Sequence, residues 1–230
     1  MSGNAEGARS AAPGEFAEQR RAMVERQLRG RGIKDSRVLE AMQAVPRHLF
    51  VPPATAAAAY SDEPLAIGEG QTISQPYIVA AMTEALELTG TERVLEVGAG
   101  SGYQAAILSV LAREVIAIEA RPMLARTARD RLSGLGYSNV RIEIGDGTLG
   151  WPSSAPYDGI LVAAAAPMVP PPLIEQLAEG GRLVIPLGSA EHQELFRVRK
   201  QAGRIVQQAL FSCRFVPLVG RYAWPDVSLS

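Results

Sequence analysis

Thiol, imidazole and membrane chemistry have little to work with in this chain. Of 230 residues one is cysteine, Cys213, and two are histidine, His48 and His192. A lone cysteine excludes an intrachain disulfide and a cysteine-based zinc site. A metal would depend mostly on carboxylates, and these do not cluster, so no metal centre is expected. Cys213 ends the run Ala209-Leu210-Phe211-Ser212-Cys213, where it reads as a small buried hydrophobe. The longest apolar stretch, Ile160 to Ala166, is seven residues before Pro167, far short of the ~20 residues of a membrane span. The N-terminal residues lack the apolar core of a signal peptide, so a cytoplasmic protein without membrane contact is expected. Charge of neither sign is in excess: 23 basic and 24 acidic residues leave a net −1, with no basic stripe of the kind that coats nucleic acid.

What is present fits a globular domain with a substantial core, at 47% apolar and 20% charged residues. Residues 1–14 are small and polar and read as a disordered tail. Residues 15–90 form a helical region. A first helix reaches about Arg29 and stops at Gly30-Arg31-Gly32. A second is capped by Asp35 or Ser36, places Val38, Leu39, Met42 and Val45 on one face and ends at Pro46. A loop-rich stretch follows, and Ser74-Gln75-Pro76 opens a third helix, with proline tolerated in the first turn. Residues 91–230 alternate short apolar runs with helical segments: strands over 93–97, 114–119, 140–144, 159–163 and 182–186, helices over 104–111, 122–132 and 172–178. Continuous apolar strands separated by helices indicate a parallel sheet covered on both faces. Strands over 195–200 and 205–215 follow one another directly, as in an antiparallel hairpin. We expect the helical region and the α/β core to form one compact domain.

The most informative segment is Val94-Leu95-Glu96-Val97-Gly98-Ala99-Gly100-Ser101-Gly102-Tyr103. A hydrophobic strand running into glycines and then a helix binds nucleotide-like cofactors at the carboxyl end of the first strand. A dinucleotide fingerprint spaces its glycines as G-x-G-x-x-G; here the third glycine is Gly102 and Tyr103 stands where that fingerprint needs glycine. The layout resembles the first motif of class I methyltransferases, with Glu96 as the acidic residue two before the first glycine. Glu119 ends the next strand, where a carboxylate can accept both hydroxyls of a ribose. Asp146, in Gly145-Asp146-Gly147, follows the third strand and is placed to reach an adenine amino group. Each carboxylate alone reads as a solvated loop charge; three after successive strands beside a glycine turn do not.

Gly70-Gln71-Thr72-Ile73-Ser74-Gln75-Pro76 is similar to the signature of the protein-L-isoaspartate O-methyltransferases. The likeness continues in Pro46-Arg47-His48-Leu49-Phe50-Val51, Ala164-Ala165-Ala166-Pro167, Glu179-Gly180-Gly181-Arg182-Leu183-Val184-Ile185-Pro186 and Arg214-Phe215-Val216-Pro217-Leu218, covering roughly residues 20–220. The resemblance implies a doubly wound, Rossmann-like α/β sheet with N-terminal helices and an antiparallel C-terminal hairpin. It also implies methyl transfer from S-adenosylmethionine to the free α-carboxylate of L-isoaspartyl residues in damaged proteins and peptides, initiating repair through a succinimide. By the resemblance Ser74 and Thr72 are the active-site hydroxyls. Gln71, Ile73, Glu96, Gly98, Gly100, Gly102, Glu119, Asp146 and Gly147 hold the cofactor, and Ala165, Ala166, Pro167, Val216 and Leu218 wall an extended substrate groove. The enzyme is expected to act as a monomer.

Ser74 also reads as a helix cap before Gln75-Pro76, a role compatible with facing a carboxylate, and Thr72 as an ordinary loop hydroxyl. A carboxylate acceptor is already ionised at neutral pH, its pKa being near ~4, so no catalytic base is needed; His48 and His192 are read as structural or exposed. Three rivals stay open: a class I methyltransferase of small molecules or RNA, a nicotinamide-dependent oxidoreductase, and a catalytically silent binder of the same fold.

Overall fold

Helix α1 (Pro13–Ala22) runs on through a π-helical stretch, Met23–Leu28, and a 3-10 turn, Arg29–Arg31, until Gly32 takes a left-handed conformation (φ 99°) and ends it. The computed structural model describes residues 13–224. Residues 1–12 of the expected tail lie outside the described residues, whereas Pro13 and Gly14 already belong to α1. Helix α2 (Ser36–Ala44) starts where the Asp35 carboxylate accepts from the backbone N–H groups of Arg37 and Val38. Of the two candidate caps Asp35 therefore does the capping, and Val38, Leu39 and Met42 are buried.

The stretch expected to be loop contains an antiparallel hairpin, β1 (Leu65–Gly68) and β2 (Gln71–Ile73), with Leu65 opposite Ile73. Its turn needs positive φ at three successive residues, Gly68, Glu69 and Gly70. Helix α3 (Pro76–Ala85) follows with Pro76 in its first turn. The cap position falls on Gln75, and no side chain caps this helix, so the expectation that Ser74 caps it is corrected.

The central sheet is built from β3 (Arg93–Val97), β4 (Glu114–Glu119), β5 (Val140–Ile144), β6 (Tyr157–Val162), β7 (Leu177–Gly188), β8 (Gln193–Gln201) and β9 (Arg204–Cys213), in spatial order β5-β4-β3-β6-β7-β8-β9. The first five strands pair in parallel, and β7-β8-β9 form an antiparallel meander. Helices α4 (Tyr103–Leu111), α5 (Pro122–Gly134) and α6 (Pro171–Gln176) connect them. Helix α6 is shorter than the expected 172–178 because Leu177 already pairs with Tyr157 of β6.

Alternate residues of each strand enter two cores. Val94, Val115, Ala117 and Leu161 pack with α1–α4; Leu95, Ile116, Ile118 and Ile160 pack on the other face with Leu173 of α6. Beyond α3, Glu87 pairs with Arg182, Arg197 and Arg199, tying the end of that helix to β7 and β8. Removing the Asp35 cap by Asp35→Ala is expected to cost about 1 kcal/mol, lowering the thermal midpoint by roughly 2–4 °C for a domain of this size. An unchanged midpoint in a calorimetric scan would show that the cap contributes nothing.

Candidate active site

Strand order reverses at β3: the chain proceeds to β4 and β5 on one side and returns to β6 and β7 on the other. Such a switch point leaves a crevice at the carboxyl ends of the strands. A cavity of about 640 Å³ occupies it. Its walls come from the turn after β3 (Gly98 to Ser101, and Tyr103), the ends of β4 (Ile118 to Arg121), β5 (Gly147) and β6 (Ala163, Ala164), together with Gln71 to Ser74 and Val216 to Val219. Gly98, Gly100 and Gly102 have φ of 92°, 52° and 86°, so the turn depends on residues without a Cβ. A Cβ on Gly147 would overlap the Val97 side chain.

Two carboxylates dominate this cavity. Glu119 is nearly buried and fixes the turn, its Oε2 accepting from Gly100 N–H at 2.8 Å and its Oε1 from Arg121 N–H at 2.9 Å. Glu96 is fully buried, and neither oxygen has a hydrogen-bond partner. Burial, and then the Glu119 charge, push its pKa well above the usual carboxylate range. A buried carboxylate without donors is costly, and a cationic group entering the cavity would relieve that cost. The site thus fits a ligand with an ammonium or sulfonium centre and ribose-like hydroxyls.

A second cavity, also about 640 Å³, is lined by Arg31, Tyr77, Phe211 and Arg214 among others. The two share Thr72, Ser74, Ala163 and Val216. Neither Thr72 nor Ser74 spends its hydroxyl on a hydrogen bond within the described residues. Arg31 lies 3.9 Å over the Tyr77 ring and pairs with Asp62 at 2.6 Å.

Residues 18–223 match the family model described as protein-L-isoaspartate(D-aspartate) O-methyltransferase. The chain belongs to this family. It is 58% identical over 206 residues to the protein-L-isoaspartate O-methyltransferase of Geobacter metallireducens, covering 89% of this chain and 95% of that one. It is 53% identical over 206 residues to the Methanoculleus marisnigri protein of the same name, covering 90% and 94%. A solved structure named protein-L-isoaspartate O-methyltransferase superposes with a TM-score of 0.80 at 29% identity, over 89% of this chain and 67% of that one. A Plasmodium falciparum protein described by the same activity, solved in complex with S-adenosyl-L-homocysteine, gives a TM-score of 0.76 at 26% identity, over 87% and 98%. The isoaspartyl methyltransferase activity and the fold read from the motifs stand.

Of the residues singled out in the sequence for this family's chemistry, the fold brings Gln71, Thr72, Ile73, Ser74, Glu96, Gly98, Gly100, Glu119, Gly147, Val216 and Leu218 to the first cavity. Gly102 does not line it: it stands at the start of α4 and packs against Leu132 and Ala128 of α5. Asp146 is adjacent but turned inward: its Oδ1 accepts from Thr148 N–H and Oγ1–H, its Oδ2 from Arg221 N–H. Ala165, Ala166 and Pro167 do not line either cavity. Ala165 and Ala166 are buried, and their backbones are engaged. Ala165 donates to Val216 O and accepts from Leu218 N–H, while Ala166 donates to Pro186 O and accepts from Gly188 N–H. They hold the wall that Val216 and Leu218 form, and Ala163 and Ala164 face the cavity in their place. Tyr103, Gln104 and Met82 also line it, and Arg31, Tyr77 and Phe211 line the second cavity. Tyr103 closes the glycine-turn segment and Gln104 follows it; no sequence pattern marks Met82, Arg31, Tyr77 or Phe211, which come from separate segments.

The raised Glu96 pKa fixes a sign. Between its unfolded value and its folded value the folded chain binds the extra proton, so ligand-free stability falls as pH rises through that window. Glu96→Gln is expected to flatten this decline, raise the ligand-free melting temperature at pH 8 and weaken S-adenosylhomocysteine binding by about tenfold or more, ~1.4 kcal/mol. Melting curves from pH 5 to 8, with and without ligand, check both effects.

Proposed function

We propose that the chain methylates isoaspartyl α-carboxylates across the wall its two cavities share, with S-adenosylmethionine in the first and the damaged peptide in the second. The observation that carries this reading is the pair of uncommitted hydroxyls, Thr72 and Ser74, common to both cavities. When bound, S-adenosylmethionine supplies a methyl group on a sulfonium leaving group. Glu96 receives the cationic amino-acid end. Glu119, whose oxygens each keep an unused lone pair after one backbone bond, takes the ribose hydroxyls. The turn at Gly98 and Gly100 would lie along the ligand, with Gly102 behind it at the start of α4. Gly147 would border the adenine, with Asp146 anchoring its loop through Thr148 and Arg221, and Gln71 and Ile73 would close the cavity.

Thr72 and Ser74 orient the substrate carboxylate, whose oxygen forms the new bond to the methyl carbon as the carbon–sulfur bond breaks; no proton moves. Such positioning is worth on the order of 7–11 kcal/mol when reacting atoms are well aligned. Hydroxyls suit the task better than a cation, because carboxylate charge is being lost in the transition state. Of the two guanidiniums lining the second cavity, Arg31 and Arg214, Arg31 is drawn off to Asp62. The methyl ester then closes to a succinimide, whose hydrolysis returns part of the chain to aspartate. We take residues 15–90 as the region that brings the substrate loop and 91–230 as the cofactor core, packed as one domain. We place the reaction in the cytoplasm, carried out by a monomer on proteins and peptides and not on nucleic acid. Among the described residues no helix is long and apolar enough to cross a membrane.

Methyl transfer from labelled S-adenosylmethionine to paired synthetic peptides tests this reading. Base-labile label is expected on the L-isoaspartyl peptide and not on its aspartyl twin; cofactor binding without label on either would overturn the substrate assignment. Ser74→Ala should lower kcat/KM for the isoaspartyl peptide by roughly tenfold, ~1.4 kcal/mol, with cofactor affinity unchanged. Full activity in that variant would remove Ser74 from the mechanism.

A further inference from the structure

The segment Pro46-Arg47-His48-Leu49-Phe50-Val51 has no part in the reaction derived above, yet it carries a side chain that is costly to bury. Arg47 is 0% exposed, makes no ion pair among the described residues, and leaves both terminal Nη groups without a hydrogen-bond partner. An unpaired buried cation of this kind is strongly unfavourable unless something compensates it. Its Nε–H donates to the Ala59 carbonyl at 2.7 Å, a bond that a neutral glutamine could also make. What the charge itself meets is an aromatic face: the guanidinium carbon lies 5.0 Å from the centroid of the Tyr103 ring. A cation over a ring is held more strongly when both are desolvated, and Tyr103 is 1% exposed. Phe50 meets the same ring edge-on, with centroids 5.5 Å apart. Tyr103 is the first residue of α4, directly after Gly102, and lines the first cavity.

We infer that Arg47 is a positioning residue for cofactor binding, fixing the Tyr103 ring at the cavity wall and tying it to the chain at Ala59. Loss of the guanidinium leaves Tyr103 free to shift beside the glycine turn, and the cofactor senses the shift although it never touches Arg47. The inference rests on S-adenosylmethionine occupying the first cavity. It deepens that reading by naming a residue outside the cavity that sets the cavity's affinity.

A double-mutant cycle on directly measured S-adenosylhomocysteine affinity tests it, using the full chain and isothermal calorimetry. Arg47→Met is expected to weaken binding about tenfold, and Arg47→Lys, which keeps a cation but not the planar face, by an intermediate factor. The KM for an isoaspartyl peptide should stay within twofold of wild type at saturating cofactor. In a Tyr103→Leu background Arg47→Met should add less than twofold, because its effect passes through the ring. A merely structural Arg47 would lower the melting temperature equally in both backgrounds while leaving affinity unmoved. Wild-type affinity in Arg47→Met, or a full tenfold loss in the Tyr103→Leu background, overturns the inference. If Arg47→Met does not fold, Arg47→Lys alone carries the cycle. Failure of the wild-type chain to bind the ligand would instead overturn the cavity assignment, and this inference with it.

Discussion

The Glu96 carboxylate sits at the end of the central strand with no donor from the protein to meet it, and the cavity is organised around that deficit. Position 96 is buried because β3 is the central strand of a sheet covered on both faces, so its side chains point into packed layers and not into water. The side chain cannot reach water without leaving the sheet. Glu119 adds a second negative charge beside it, but spends one oxygen on Gly100 and one on Arg121. One carboxylate therefore shapes the turn while the other waits for a partner. A fold that merely needed a stable strand end would place an apolar residue here; an unsatisfied acid is tolerable where a cationic ligand supplies the missing interaction.

The substrate side is built differently. Apart from Ala163 at the end of β6, its residues come from outside the parallel strands: mainly from Arg31, the β2–α3 junction with the first turn of α3, and the end of β9 with the segment after it. The sheet positions them at one remove. Ala165 bridges Val216 and Leu218 through its backbone, and Ala166 bridges Pro186 and Gly188. The Ile67 side chain of the β1–β2 hairpin lies within 3.3 Å of where a Cβ on Gly100 would stand, so the hairpin packs onto the cofactor turn. Small residues at 100, 163 and 164 let these peripheral segments approach the strand ends closely enough for the two cavities to share a wall.

Much of this was legible in the sequence for a definite reason. Strands buried on both faces read as unbroken apolar runs, and the expected strands over 93–97, 114–119 and 140–144 coincide with β3, β4 and β5. The glycine turn and its carboxylates were legible because chemistry there needs particular residue types. The hairpin was not: its strands have four and three residues, and its turn asks Glu69 to adopt a positive φ. Ser74 looked like a cap, but proline's preference for the first helical position puts the cap one residue later, on Gln75. Ala165 and Ala166 act through their backbones, which leave no trace in residue identity. The second cavity draws Arg31, Tyr77 and Phe211 from three distant segments, so only the folded chain reveals it.

The two histidines complete the chemical picture by their distance from it. His48 stacks on Phe16 with centroids 4.1 Å apart, and its Nδ1 lies 2.7 Å from the Tyr60 hydroxyl. Burial, helped by the nearby Arg20 charge, lowers its pKa, so at neutral pH it is a neutral ring packed against α1. His192 is exposed on the turn before β8. Neither lines a cavity, so the site holds no imidazole base. That fits an acceptor that arrives ionised and a donor that leaves as a neutral thioether, since neither end of the reaction has a proton to manage. The polar groups divide accordingly. Carboxylates gather where a cationic cofactor must be held, hydroxyls where an anionic acceptor must be oriented but not neutralised, and the boundary between them is the wall at Thr72 and Ser74.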